Sequence, residues 1–165
     1  QQANLKLPEV AGGAPTSVEV PRTPELTQFI DRIRAAREYW EDMRPKEKMK
    51  MRHIPVVLYG MAKKAAIDMR LVDPAAYADH PDSKLNQVVE TVFEVWQKTA
   101  PRESTQAIFL DRYQDSTRKF NAYHDMRDKL IKKGVPKDQI AIVSEANTDA
   151  QREAMFDRVD RKSVV

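Results

Sequence analysis

Apolar residues recur at helical spacing in several parts of the chain, most cleanly after Ser83. A serine at such a position can cap a helix by accepting a hydrogen bond from a backbone amide of the first turn. The apolar residues that follow are three or four positions apart, which places them on one face of a helix. The predicted buried face consists of Leu85, Val88, Val89, Val92, Phe93 and Trp96.

A second helical pattern begins at Thr23, a favourable N-cap that is followed by Pro24 at the first helical position. We expect this helix to run to about Met43. A shorter helix is predicted over residues 61–71, because the residue before Pro74 is pushed out of the helical conformation. The inward side chains of the first helix are expected to be Leu26, Phe29, Ile30, Ile33 and Trp40.

Two further helices are predicted in the second half of the chain. The first covers about 119–133, with Gly134 as its C-cap and Phe120, Tyr123, Arg127 and Leu130 on one side. The last begins at Thr148, which stands three residues before Gln151, the spacing of a capping box. Its inward side chains are expected to be Met155, Phe156 and Val159.

Two short segments between the later helices are typical of strands. Residues 106–110 are largely apolar and end at Asp111, and residues 140–143 form a β-branched run after a turn. Because a helix separates them, we expect the two strands to be adjacent and parallel. Residues 53–59 also have strand character, but Pro55 restricts them to a sheet edge or an extended link.

This order of elements predicts an α/β fold, in which a parallel βαβα half of a domain follows a helical segment. Parallel sheets bind ligands at the carboxyl ends of their strands, so a domain that handles nucleotides or nucleic acids is expected. The predicted organisation is a linker or extended strap at 1–22, a helical inter-domain segment at 23–82 and the α/β part at 83–159.

Both ends of the chain are expected to be cut. The sequence begins with Gln1 rather than methionine, and residues 1–21 are rich in proline, glycine, alanine and valine without any periodicity. Residues 160–165 match the translation of one frame of a common sequencing adapter. We interpret them as an artefact rather than as a native basic tail.

The composition indicates a soluble protein of about one domain. The 165 residues are 41% hydrophobic and 32% charged, and none is cysteine, which excludes disulfides and thiolate metal sites. No apolar run approaches the roughly 20 residues of a membrane span, and the first residues do not have the pattern of a signal peptide. We therefore expect a cytoplasmic protein without membrane contact.

No complete catalytic or metal site is predicted. His53, His80 and His124 are far apart in sequence and lack metal-ligand spacing. Glu90 and Glu94 lie one helical turn apart, but a solvated helix face explains them better than acid–base catalysis. A Gly-rich phosphate loop is also missing from the sequence.

The clearest charge feature is the stretch 44–64, which contains seven basic residues and one acidic residue, Glu47. Its lysines and arginines could neutralise phosphates of a nucleic acid, and the alternative is a solvated helix end and loop. Met43, Met49, Met51 and Met61 alternate with these charges, which suggests a face that packs on a partner. The candidate phosphate contacts are Lys46, Lys48, Lys50 and Arg52, with Lys63 and Lys64 nearby.

A second candidate phosphate site lies at the start of the last predicted helix. The hydroxyl groups of Ser144 and Thr148, with the backbone amides of Asn147, Thr148 and Asp149, could hold a phosphate oxygen. Glu145 and Asp149 oppose an anion there. Simple capping of the helix is the competing interpretation.

Several blocks of sequence, taken in order, resemble the front of the second RecA-like domain of superfamily-two helicases of the SWI/SNF-like branch. The similarity is greatest to the large DNA methylase–helicase fusions and antirestriction proteins of phages and plasmids, and it covers about residues 21–159. The blocks are SKLNQVVE at 83–90, QAIFLD at 106–111, NAYHDMRDKLIKKG at 121–134 and IAIVSEANTDAQREAMF at 140–156.

The resemblance implies an incomplete RecA-like domain from an ATP-dependent DNA helicase or translocase. The parent protein would use ATP and magnesium. The phosphate loop, magnesium-binding acids and arginine fingers of the family lie outside this chain, so it binds neither cofactor alone and has no catalytic residue. The implied partners are the first RecA-like domain, missing here, and the DNA backbone. The chain alone is expected to be inactive.

Two other classes of protein remain open. One is a stand-alone α/β module that binds a nucleotide or a partner without catalysis, which would require a finished sheet of about five strands. The other is a helical interaction module in which residues 24–96 are the working part and the strands give support.

Overall fold

The computed structural model describes residues 15–102, 104–112, 114 and 119–161, with side chains through 158. These residues form six α-helices joined by extended segments, turns and short 3-10 helices. The α-helices are α1 (Pro24–Asp42), α2 (Pro45–Lys50), α3 (Ile54–Ile67), α4 (Lys84–Thr99), α5 (Ala122–Lys133) and α6 (Asp149–Arg161). The 3-10 helices are Met69–Leu71, Ala100–Arg102, Lys137–Gln139 and Val143–Glu145.

Local capping signals determine where several helices begin and end. The Thr23 hydroxyl accepts a hydrogen bond from the amide of Leu26 at 3.2 Å, and the Ser83 hydroxyl accepts one from Asn86 at 3.2 Å. Gly134 has a φ of 107°, the left-handed conformation that glycine adopts without steric cost after a helix. These three predictions are confirmed.

The apolar faces pack into two hydrophobic cores. In the first core α4 packs against α5, and in the second α1 packs against α3. The buried residues of the first core are Leu71, Leu85, Val89, Val92, Ala122, Met126, Leu130 and Val135. Those of the second are Phe29, Ala65 and Met69, with Leu26, Ile33 and Met61 packed beside them.

The predicted parallel βαβα half of a RecA-like domain is wrong for the described residues, which contain no β-strand. Their one β-bridge is isolated and antiparallel, between Gln114 and Asn121. Residues 106–110 belong to no helix or strand, and residues 140–142 run directly into the 3-10 helix Val143–Glu145. The alternation of apolar residues was recognised correctly, but a strand also requires a neighbour, and these two segments do not pair with each other.

Three helix boundaries also differ from the predictions. The helix predicted over 61–71 is the second half of α3, which ends at Ile67, and Met69–Leu71 form a separate 3-10 helix. Residues 53–59, expected to be extended because of Pro55, form the start of α3, where proline occupies the first turn and no intrahelical hydrogen bond is lost. Helix α5 begins at Ala122 rather than near Lys119, because the Asn121 side chain accepts hydrogen bonds from the first amides and so caps the helix there.

The inward face predicted for α6 is only partly correct. Met155 is half-buried, whereas Phe156 is exposed, and the side chain of Val159 lies outside the described residues. Among the described side chains of α6, Met155 is the one that is not exposed to solvent. This helix therefore rests on the molecule through a narrow apolar contact.

Candidate nucleic-acid interface

The basic stretch 44–64 folds into α2, the turn after it and most of α3. Pro45 starts α2, and the Glu47 carboxylate accepts a hydrogen bond from the amide of Arg44 at 3.3 Å. Lys46, Lys50 and Arg52 are all exposed. A short helix that its own acidic residue caps thus presents basic side chains to solvent.

None of the cations in this stretch has an ion-pair partner among the described residues. Elsewhere the pairing is frequent, as between Arg37 and Glu41 at 2.8 Å or Lys133 and Glu90 at 2.7 Å. The excess of six positive charges predicted from the sequence is therefore not neutralised by neighbouring carboxylates. Such a surface attracts phosphates.

Lys48 differs from its neighbours because it is half-buried against α1. Its ammonium group lies 5.5 Å from the centre of the Trp40 ring and donates a hydrogen bond to the carbonyl of Glu41. The Trp40 indole in turn donates to the carbonyl of Met51 at 3.1 Å. Lys48 therefore holds α2 against the end of α1, and Lys46, Lys50 and Arg52 remain the accessible candidates.

Large apolar side chains are exposed on the same elements. Met49 is 77% exposed on α2, and Val56 and Tyr59 are 74% and 62% exposed on α3. Lys63 lies 5.0 Å from the centre of the Tyr59 ring and one turn further along α3. We call the exposed residues of α2, of α3 and of the turn between them the α2–α3 surface. Of the four alternating methionines, Met49 and Met51 are exposed, and Met61 packs on the second core.

The second candidate phosphate site is occupied by capping interactions. The Gln151 side chain accepts hydrogen bonds from the amides of Asn147 and Thr148 at 2.8 and 3.1 Å. The Thr148 hydroxyl accepts one from the amide of Gln151 at 3.2 Å, which completes the predicted capping box. A phosphate would have to displace the Gln151 carboxamide before it could reach these two amides.

Ser144 and Asn147 line an apolar groove of about 740 Å³. The groove lies between residues 105–109 and residues 140–144, which include the start of the 3-10 helix Val143–Glu145, and α5 and α6 also contribute to its wall. The structure therefore brings Ser144 and Asn147 together, but they share no hydrogen bond or pocket with Lys46, Lys48, Lys50 or Arg52 in the described part of the chain. The two sets of candidate residues form separate sites.

A partly buried ion network around Arg70 was not predicted from the sequence. The Arg70 guanidinium lies within 2.9 Å of Asp68, 2.9 Å of Asp79 and 3.0 Å of Asp125. Lys129 lies 2.7 Å from both Asp79 and Asp125. Two cations and three carboxylates thus connect the end of α3, the loop before α4 and helix α5.

The network shifts the pKa values of two of its members. Burial alone would lower the pKa of Arg70, but its hydrogen bonds to Asp68 and Asp125 outweigh burial and raise that pKa. Burial alone would raise the pKa of Asp79, but its hydrogen bonds with Lys129 and Asn86 and the charge of Arg70 hold that pKa below its usual value. Both groups are therefore fixed in their charged forms near neutral pH. The network therefore stabilises the packing of these elements and does not have the properties of an acid–base pair.

The comparisons with known proteins give no family assignment: no family model, no curated protein and no solved structure matches this chain. Within the described residues, no helix combines the length and apolarity that a bilayer span requires. The same residues contain no cluster of three or more His, Cys, Asp or Glu side chains that could hold a metal ion.

Proposed function

We propose that this chain binds the DNA backbone, independently of sequence, through the α2–α3 surface. The observation that carries the proposal is the exposure of Lys46, Lys50 and Arg52 with no ion-pair partner in the described chain. Each lysine or arginine that contacts a phosphate releases condensed counterions, and this release drives sequence-independent binding. Contacts of this type position a protein on DNA without reading bases.

The role of the binding follows from the resemblance to helicases, which stays a prediction. In that setting the chain would be a DNA-contacting part of an ATP-dependent motor that works in the cytoplasm. The ATP, the magnesium and the first RecA-like domain would belong to the parent protein. The α2–α3 surface would then hold the parent protein on DNA. Phosphoryl transfer would take place at a different site, where it depends mainly on positioning and charge stabilisation.

The salt dependence of DNA affinity tests the proposal. We expect a fluorescent duplex to bind with a dissociation constant of about 1–100 µM near physiological salt, the usual range for non-specific complexes. The triple variant Lys46→Gln, Lys50→Gln, Arg52→Gln should lower the slope of log K against log salt by about 0.9 for each lost phosphate contact. Fluorescence anisotropy over a series of NaCl concentrations measures both quantities.

A matched control removes three other exposed lysines that make no ion pair within the described residues: Lys84→Gln, Lys132→Gln and Lys137→Gln. Both triple variants lose three positive charges, so a difference between them reports the location of the contact rather than the net charge. Equal effects of the two variants on the slope would contradict a localised interface. Lys48 is left in place because of its contact with Trp40.

The exposed apolar residues favour a second candidate, a helical module that binds a protein partner. Val56 and Tyr59 lie one turn apart on α3 and offer apolar area that phosphate contacts do not require. Binding that weakens with Val56→Ser and Tyr59→Ser, while it changes little with salt, would support this candidate over DNA.

A further inference from the structure

We propose that the α2–α3 surface prefers single-stranded DNA, and that a base of the strand stacks on the ring of Tyr59. This inference rests on the proposed contact with the DNA backbone and adds the form of DNA that the surface selects. Proteins that bind single strands without sequence preference combine cations that follow the phosphates with aromatic rings on which bases stack.

Tyr59 lies between cations on one face of α3. Val56, Tyr59 and Lys63 are three and four residues apart, so they share a face of the helix. Arg52 lies four residues before Val56, in the turn that leads into α3. Neither Arg52 nor Lys63 makes an ion pair within the described residues. The order cation, apolar residue, aromatic ring and cation is the combination that a single strand requires.

The ring of Tyr59 is accessible to a base. The residue is 62% exposed, and its one cation contact is with the Lys63 ammonium, 5.0 Å from the ring centre. The helix surface next to it is open as well, because a Cβ at Gly60 would meet no atom within 4 Å. Lys63 therefore covers one side of the ring and holds a positive charge beside it, where the phosphate of a stacked nucleotide can bind.

Duplex DNA cannot use this ring in the same way. In a duplex the faces of the bases stack on one another, and proteins reach only the base edges in the grooves and the phosphates. In a single strand the base faces are free to stack on an aromatic side chain, and every base has such a face. Tyr59 therefore adds affinity for the single strand without selecting a sequence.

A protein partner is a poorer occupant of this surface. It could cover Val56 and Tyr59, but its own carboxylates would have to match the excess of positive charge in residues 44–64. A single strand supplies one anion and one flat, largely apolar face with every nucleotide. One ligand thus complements both the unpaired cations and the exposed apolar side chains.

Two fluorescein-labelled strands of about 12 nucleotides test the stacking, one of thymidines and one abasic with the same phosphates. Because their charges are equal, the ratio of their dissociation constants reports the contribution of the bases. By anisotropy we expect the thymidine strand to bind at least about fivefold more tightly, the lower limit for one stacked base. It should also bind more tightly than a duplex of the same length near physiological salt. Equal affinity for the two strands, or tighter binding of the duplex, would overturn the inference.

Variants of the exposed ring locate the stack. Tyr59→Leu keeps an apolar side chain but removes the ring, so the ratio between the two strands should fall to near one. Tyr59→Phe keeps the ring and should keep the ratio. The control Phe109→Leu removes a ring that is 88% exposed outside the α2–α3 surface, and the ratio should not change. A ratio that survives Tyr59→Leu would overturn the inference and leave Val56 and Tyr59 to a protein partner.

The abasic strand also separates this inference from the proposed function. The triple variant Lys46→Gln, Lys50→Gln, Arg52→Gln should weaken its binding, because only phosphate contacts hold that strand. An unchanged affinity of the triple variant for the abasic strand would contradict the backbone contact itself. A weakened affinity together with a ratio of one in the unmodified chain would contradict the Tyr59 stack alone.

Discussion

Arg70 connects the two hydrophobic cores through charged groups. It stands between Met69, which belongs to the second core, and Leu71, which belongs to the first, and its side chain lies over the Phe120 ring at 4.4 Å. Three carboxylates surround the guanidinium. Asp68 is a near neighbour in sequence, but Asp125 is 55 residues away, so the local pattern around Arg70 could not have predicted the whole network.

Removal of the Arg70 charge is expected to be costly. Arg70→Met leaves the buried Asp68 carboxylate without its cation, and the loss of one partner from a buried pair costs about 3–5 kcal/mol. The free energy of unfolding in urea measures the effect. The control, Arg34→Met, breaks an exposed pair with Asp31 and should change stability by less than about 1 kcal/mol. Equal effects would show that the network is not structural.

Asp79 gives the network a dependence on pH. Its pKa in the folded chain is below the usual value, so its stabilising contribution is present above the ordinary Asp pKa of about 3.9 and is lost as the pH falls through the folded value. We expect the urea midpoint to fall on acidification below about pH 4. Asp79→Asn should make this fall shallower, and an unchanged acid profile would refute the assignment.

At the scale of secondary structure, α1, α4, α5 and α6 were predicted because their signals are local, whereas α2 and the first half of α3 were not predicted. The caps at Thr23, Ser83 and Gly134 and the apolar stripe of α4 depend only on residues within a few positions of one another. The two predicted strands were wrong, because a strand must pair with a distant part of the chain, and the pattern of a single segment does not show whether that partner exists. Pro55 was misinterpreted for a related reason: a proline suits both a sheet edge and the first turn of a helix.

The two glycines of the described helical region make a matched test of these local rules. Gly134 has a positive φ, so Gly134→Ala should destabilise the chain by about 1–2 kcal/mol. Gly60 lies inside α3, and a Cβ there meets no atom within 4 Å, so Gly60→Ala should stabilise by about 0.5–1 kcal/mol. Thermal or urea unfolding of each variant measures whether its free energy of unfolding rises or falls. The same sign for both would contradict the assigned conformations.

At the scale of the whole molecule, the candidate sites were only partly predictable from the sequence. The charge excess of residues 44–64 was evident from composition, and its outward orientation on α2 agrees with a phosphate-binding role. The engagement of Lys48 with Trp40 was not evident, because it depends on how α2 folds back against α1. The apolar groove was missed because the residues beside it were expected to pair into a sheet.

Mapping of the DNA contact by NMR tests the central claim most directly. In a titration of the ¹⁵N-labelled chain with a short duplex of mixed sequence, we expect the largest amide shift changes in residues 44–64, with Lys46, Lys50 and Arg52 among them. The changes should weaken as salt is added, because phosphate contacts release counterions. Shift changes concentrated at Ser144, Asn147 and Thr148 instead, or no changes at low salt, would contradict the account.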